Sequence, residues 1–182
     1  MNKFKLEPQD TVLMIIDVQD KLMVAMKDKE RVYKNINLLL ETAKQLEMPV
    51  IVTEQYPKGL GKTVAEIAEN LPDHKYLDKT TFTACTDGLF DILNELNRKT
   101  ILMTGSETHI CVFQTTRDLE QSGYNVHLIK DAVCSRFDEN YQNGLQLMHD
   151  CGAVITNTET VVFDLLKKSG TPQFKVISPL VK

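Results

Sequence analysis

The chain is expected to fold as an α/β protein, a three-layer α/β/α sandwich of Rossmann-like type around a mostly parallel six-stranded sheet. Short β-branched runs alternate with longer amphipathic stretches, and the runs are apolar throughout rather than at every second residue. A strand apolar on both sides is buried on both faces, as in a parallel sheet covered by helices on either side. At 182 residues the chain is long enough for one substantial core, so a single domain over 1–182 is expected.

The runs that read as strands are "TVLMIID" 11–17, "PVIVTEQ" 49–55, "TILMTGS" 100–106, "NVHLIKDAV" 125–133 and "GAVITNTE" 152–159, with "HKYLDK" 74–79 a weaker sixth. Helical patterns fall near 30–47, 64–70, 87–97, 111–122, 138–150 and 158–168. Gly123 and Gly152 follow two of these closely, where a left-handed residue ends a helix without a Cβ clash. The stretch 56–86, with Pro57, Gly59, Gly61 and Pro72, has the poorest pattern and reads as a lid over the site. The tail 171–182 has apolar residues with little helical pattern and is expected to dock on a neighbouring surface.

A formal net charge of -4, with no long basic block, gives no footprint for phosphate backbones, so nucleic acid is not an expected partner. The longest apolar run, "VLMII", is far shorter than the ~20 residues that cross a bilayer, and no leader-like core opens the chain. Four cysteines, Cys85, Cys111, Cys134 and Cys151, stand apart without CxxC spacing, which fits a reducing cytoplasm better than a disulfide scaffold or zinc site. No metal or other cofactor is expected.

In open parallel sheets, ligands bind beyond the carboxyl ends of the strands. Asp17 closes the first apolar run, Glu54 and Gln55 the second and Lys79 the weak third, while Cys111 begins the helix after the fourth. Asp17 follows five apolar residues and needs a partner if buried. "DVQD" lacks the i+2 acid of a DxD phosphatase, and Asp20 reads as a helix cap. "GLGKT" 59–63 falls short of a phosphate-binding loop, because the required first glycine is Tyr56. His127 and His149 read as structural, whereas His74 and His109 could reach the site.

Cys111 has a physical case as a nucleophile, since a helix N-terminus and a nearby cation lower a thiol pKa by stabilising the thiolate. The opposing reading is a small buried hydrophobe, which is assigned to the other three cysteines. A nucleophilic thiol needs a proton acceptor, and Asp17 is the remaining candidate. Two neighbouring anions then require a cation between them, which pattern alone leaves open among Lys62, Lys75 and Lys79.

The segments "VLMIIDVQ", "VIVTEQYPKGLGKT", "DKTTFTAC", "ILMTGSETHICVFQTT" and "GYNVHLIKDAVCSR" resemble the isochorismatase-like cysteine hydrolase family over nearly the whole chain. The resemblance implies an Asp17–Lys79–Cys111 triad, with Phe82 three residues after the lysine. It also implies a non-proline cis peptide at Ser106–Glu107, which would aim the backbone N–H groups of Glu107 and Cys111 at an oxyanion. Residues flanking the triad, Gln19, Gln55, Phe82, Thr108 and His109, are the expected substrate contacts. "TEQYPKGLG" lacks the zinc ligands of nicotinamidases, and isochorismatase proper usually lacks the cysteine, so neither substrate is carried over. The implied activity is hydrolysis of a C–N bond in a small amide-type compound through a thioester, by a cytoplasmic homo-oligomer. The alternatives are a weakly catalytic binding or scaffold protein of the same fold and a thiol redox sensor.

Overall fold

In the computed structural model, which describes residues 3–181, six strands form one sheet in the order β3-β2-β1-β4-β5-β6. The strands are β1 Thr11–Ile16, β2 Val50–Gln55, β3 Lys75–Lys79, β4 Thr100–Ser106, β5 Asn125–Cys134 and β6 Val154–Thr156. Every neighbouring pair is parallel, so the sheet is parallel throughout. The helices are α1 Asp20–Met23, α2 Lys29–Gln45, α3 Pro57–Leu60, α4 Ala65–Ala68, α5 Asp87–Leu96, α6 Phe113–Gln121, α7 Asp138–Asp150, α8 Thr158–Leu166 and α9 Pro172–Ile177.

All six residues of β1 are buried, because alternate side chains enter two different cores. Leu13 and Ile15 pack with Val32, Leu39, Val161, Leu165 and Ile177 under α2, α8 and α9. Val12, Met14 and Ile16 pack with Leu89, Leu93, Leu119 and Met148 under α5, α6 and α7. Helix α2 keeps Val32, Ile36, Leu39 and Ala43 on its sheet-facing side at spacings of three and four. Burying one such leucine contributes about 1.5–3 kcal/mol.

The tail differs from its expected irregularity. Thr171 accepts a hydrogen bond from the Phe174 N–H, Pro172 fixes the first turn, and Ile177 is buried, so a short helix docks on this chain's own core. Helices α1, α3 and α9 are too short for periodicity to reveal. Asp20 opens α1, and Gln19 occupies the cap position expected of Asp20. Gly123 and Gly152 have φ of 79° and 104°, in keeping with helix stops.

The strand order reverses between β1 and β4, the switch point where loops part and leave a crevice at the carboxyl edge. Two backbones nearly touch there. A Cβ at Gly105, whose φ is 131°, would stand 2.1 Å from the Ile16 carbonyl oxygen. Glycine at 105 therefore brings the end of β4 against the end of β1, and with it the loops that carry Cys111 and Asp17. Among the described residues, no helix is long and apolar enough to cross a membrane.

Candidate active site

Asp17, Lys79 and Cys111 lie within the region where β1, β3 and β4 end. Asp17 leaves β1 in a left-handed conformation, φ 52°, which turns its carboxylate back over the sheet edge. Its main chain is anchored on both sides: the N–H donates to Thr53 O at 3.2 Å, and the carbonyl accepts from Ser106 Oγ at 2.7 Å. One carboxylate oxygen accepts from Thr53 Oγ1 at 2.7 Å, and the other accepts from Lys79 Nζ at 2.6 Å. The side chains of this pair are 0% and 1% exposed, so an ion pair stands almost without water.

Lys79 ends β3 in register with Gln55, the last residue of β2. Its ammonium also donates to Gln55 Oε1 at 2.7 Å and to the Phe82 carbonyl at 3.1 Å. These acceptors fix a buried charge that would otherwise be costly. Lys75 pairs instead with Glu95 and Lys62 is exposed, so of the three lysines left open by the sequence, Lys79 is the one paired with Asp17.

Cys111 sits inside a π-helical turn, Thr108–Val112, that precedes α6. Such turns are rare and recur at functional sites. Thr115 Oγ1 donates to the Cys111 carbonyl at 2.7 Å and accepts from the Ala84 N–H at 2.9 Å, which ties the loop after β3 to the cysteine turn. Helix α7 packs on the same turn through Gly144, where a Cβ would stand 2.9 Å from the Thr108 carbonyl oxygen. Gly144→Ala is expected to lower stability by about 1–3 kcal/mol by pushing the two apart. Urea unfolding measures this directly, and an unchanged midpoint would contradict the close contact.

Two expectations are corrected here. No cis peptide occurs among the described residues, and the turn after Ser106 is made instead by Glu107 in the left-handed region at φ 56°, ψ 65°. The Cys111 thiol is also raised, not lowered: burial first, then the Asp17 charge, push it from 9.0 to about 12, although Lys79 acts in the opposite direction. The sulfur belongs to a residue only 5% exposed, and the benefit of a helix start does not outweigh the lost water. Both the lost water and the neighbouring Asp17 charge favour the neutral thiol.

A stability consequence follows from the raised thiols at Cys111 and Cys134, both pushed up to about 12 by burial. Between the unfolded value near 9.0 and the folded value, the unfolded chain loses these protons while the folded chain retains them. Stability therefore falls as pH rises through this window, by about 1.4 kcal/mol per thiol per pH unit. Cys111→Ala is expected to show a shallower loss between pH 9.5 and 10.5, read from urea midpoints. Parallel pH slopes for the two proteins would contradict burial of the neutral thiol.

The flanking residues separate into different roles. Gln19 is fully buried and clamps the loops, its Nε2 donating to Gly61 O at 2.7 Å and its Oε1 accepting from Gln55 N at 2.7 Å. Gln55 holds Lys79 and donates to Thr80 O at 2.9 Å. Thr108 is buried and donates to Cys134 O at 2.9 Å. The Phe82 ring is 57% exposed, while its carbonyl faces Lys79. His109 Nδ1 lies 3.3 Å from Ser135 Oγ. His74 lies instead with Pro49 and Val50, at the strand starts, away from the triad.

Residues 56–86, expected as a lid, contain α3, α4 and β3 and are pinned at Thr63, whose N–H and hydroxyl both donate to Glu54 Oε1, at 2.6 and 2.9 Å. Sequence reasoning missed Thr53 and Ser106, which donate to Asp17, and Thr115, which donates to the Cys111 carbonyl. For Thr53, spacing offered a signal, since it lies two residues before Gln55 on the same strand face. Also missed was the pair between Arg136 Nε and Glu107 Oε1 at 2.7 Å. Among the described residues, no group of three or more His, Cys, Asp or Glu is arranged to hold a metal ion.

The isochorismatase domain model matches residues 11–160. A secreted isochorismatase effector of Phytophthora sojae is 39% identical over 98% of this chain and 87% of its own length. Isochorismatase domain-containing protein 2 of Xenopus laevis is 35% identical over 97% of this chain and 86% of its own. A solved Caenorhabditis elegans structure, described as a ribonuclease, is 35% identical with a TM-score of 0.92, covering 97% of this chain and 92% of that one.

Proposed function

Because the chain belongs to the isochorismatase domain family, we propose that it is a single-domain cysteine hydrolase that cleaves a C–N bond of a small amide-type substrate. The observation that carries this reading is the buried Asp17–Lys79 ion pair, whose Asp17 charge acts on the buried Cys111 thiol. A thiol raised to about 12 is a poor nucleophile unless its proton leaves as sulfur attacks, so a carboxylate next to it is the chemistry required.

In the proposed reaction, Asp17 takes the thiol proton as the sulfur bonds to the substrate carbonyl carbon. The N–H groups of Glu107 and Cys111 stabilise the tetrahedral oxyanion. Collapse breaks the C–N bond, and Asp17 returns the proton to the departing amine, leaving a thioester on Cys111. Water then gives a proton to Asp17 and attacks the thioester, and the released thiol recovers that proton. Lys79 holds the Asp17 carboxyl group in place through both halves. Gln19, Gln55 and Thr108 hold the surrounding loops together, and with Phe82 and His109 they are the proposed substrate contacts.

The test is a turnover screen of small amides, ureides and related acyl compounds, with RNA included because of the nematode neighbour's description. Amine or ammonia release supports the reading, and RNA cleavage without amide turnover overturns it. Against RNA stand the net charge of -4 and the commitment of Lys79 and Arg136 to carboxylates. We further propose a homo-oligomer, supported by exposed rings at Tyr56, Phe82 and Phe137 around the carboxyl edge. Light scattering checks this, and a monomer at micromolar concentration contradicts it.

A further inference from the structure

Glu107 is buried, 7% exposed, and its two carboxylate oxygens differ. Oε1 is held by Arg136 Nε at 2.7 Å. Oε2 is enclosed and has no hydrogen-bond partner. His109 Nδ1 stands 3.7 Å away, beyond hydrogen-bond distance, and lies closer to Ser135 Oγ at 3.3 Å. A buried carboxylate oxygen left bare loses its hydration without replacement, and such groups are rare in folded proteins.

The main chain holds this residue at the start of the turn that carries Cys111. Glu107 is the left-handed residue that starts the cysteine turn, and its carbonyl accepts from the Ile110 N–H at 2.9 Å. Its charge helps to raise the Cys134 thiol and, to a smaller degree, the Cys111 thiol. An ionised carboxylate offers only acceptors, so what completes Oε2 must be a donor. An anionic group in the same place would be repelled.

We propose that Glu107 Oε2 recognises the substrate by accepting a hydrogen bond from an N–H next to the scissile carbonyl, so that the substrate is a primary amide, ureide or similar neutral acyl compound with a free N–H. This rests on Cys111 as the nucleophile and adds to it the selectivity for an N–H donor. Arg136 acts through Glu107 as a positioning residue, holding one oxygen so that the other is left to accept from the ligand.

The test uses alkylation of Cys111 in the intact protein by iodoacetamide, which carries an N–H2 beside its carbonyl, and by methyl iodoacetate, which does not. In both reactions sulfur bonds to the CH2 carbon, iodide leaves with the C–I electron pair, and the thiol proton passes to Asp17 or water. Each rate on the Cys111 peptide, followed by mass spectrometry, is divided by the rate of the same reagent with N-acetylcysteine. Wild type is expected to favour iodoacetamide by at least tenfold after this correction. Glu107→Met, which keeps the length and removes the acceptor, is expected to bring the preference within twofold of unity.

A wild-type preference below twofold overturns the proposal without any variant, as does a preference that survives in Glu107→Met. Absence of Cys111 labelling by either reagent also overturns it, because the donor site is then unreachable. Turnover that persists in Cys111→Ala sinks the nucleophile instead, and that result is read from product release rather than from the reagent ratio.

Discussion

Cys111→Ala is expected to reduce turnover of any amide found in the screen by about 10⁴-fold or more, the scale seen when a nucleophile that works as part of a unit is removed. The same change is expected to leave the fold standing. Cys111 contributes one buried sulfur to a core that includes Met14, Ile16, Leu89 and Val112, so its loss opens only a small void. Activity and urea unfolding measured on the same preparation separate the two effects. Turnover within tenfold of wild type, with an unchanged midpoint, would remove Cys111 from the chemistry.

Lys79→Met should lower stability by about 3–5 kcal/mol, because it strands the Asp17 carboxylate in a site without water. Thr53 still donates to that carboxylate, but a hydroxyl does not replace an ammonium at 2.6 Å. Asp17→Asn does the reverse and leaves Lys79 without a counter-charge, so it too is expected to cost stability as well as turnover. The double variant is the informative one. Removing both charges is expected to recover a large part of the loss, since a neutral buried pair has no stranded ion. A double-mutant cycle by urea unfolding reads the coupling, and simple additivity would show that the two charges are not desolvated together.

The parts of the fold legible in the sequence are those whose burial is uniform along the chain. β1, β2 and β4 are buried at every position, and the apolar stretches "VLMII", "VIV" and "ILM" within them say so. β3 is harder to read because it lies at the sheet edge, where "KYLDK" keeps only Lys79 buried. α1, α3 and α9 hold no more than six residues each, too few for a helical period to emerge.

For the candidate site the division is chemical. Residue types and strand ends point to Asp17, Lys79 and Cys111, and the family resemblance selects Lys79 from its neighbours. The ionisation of Cys111 is not legible, because it depends on how much water the loops after β3 and β4 exclude. A helix start argues for a lowered thiol, but burial and the Asp17 charge together override it. The turn at Glu107 also escapes the sequence, since nothing in "TGSETH" distinguishes a trans left-handed residue from the expected cis bond. Asp17, Tyr56 and Glu107, at the ends of β1, β2 and β4, adopt this left-handed conformation at a cost of about 1–3 kcal/mol each, as do Asp28, Glu47, Asn97 and Lys167 elsewhere in the fold.

Covalent catalysis through Cys111 is tested most directly by partitioning. Two amides that share an acyl group and differ in their leaving amines are hydrolysed in the presence of hydroxylamine, and the ratio of hydroxamate to acid is measured for each. A common thioester on Cys111 forgets its leaving group, so the two ratios should be equal. Ratios that change with the leaving amine would mean that no shared acyl-enzyme forms and that Cys111 is not the nucleophile.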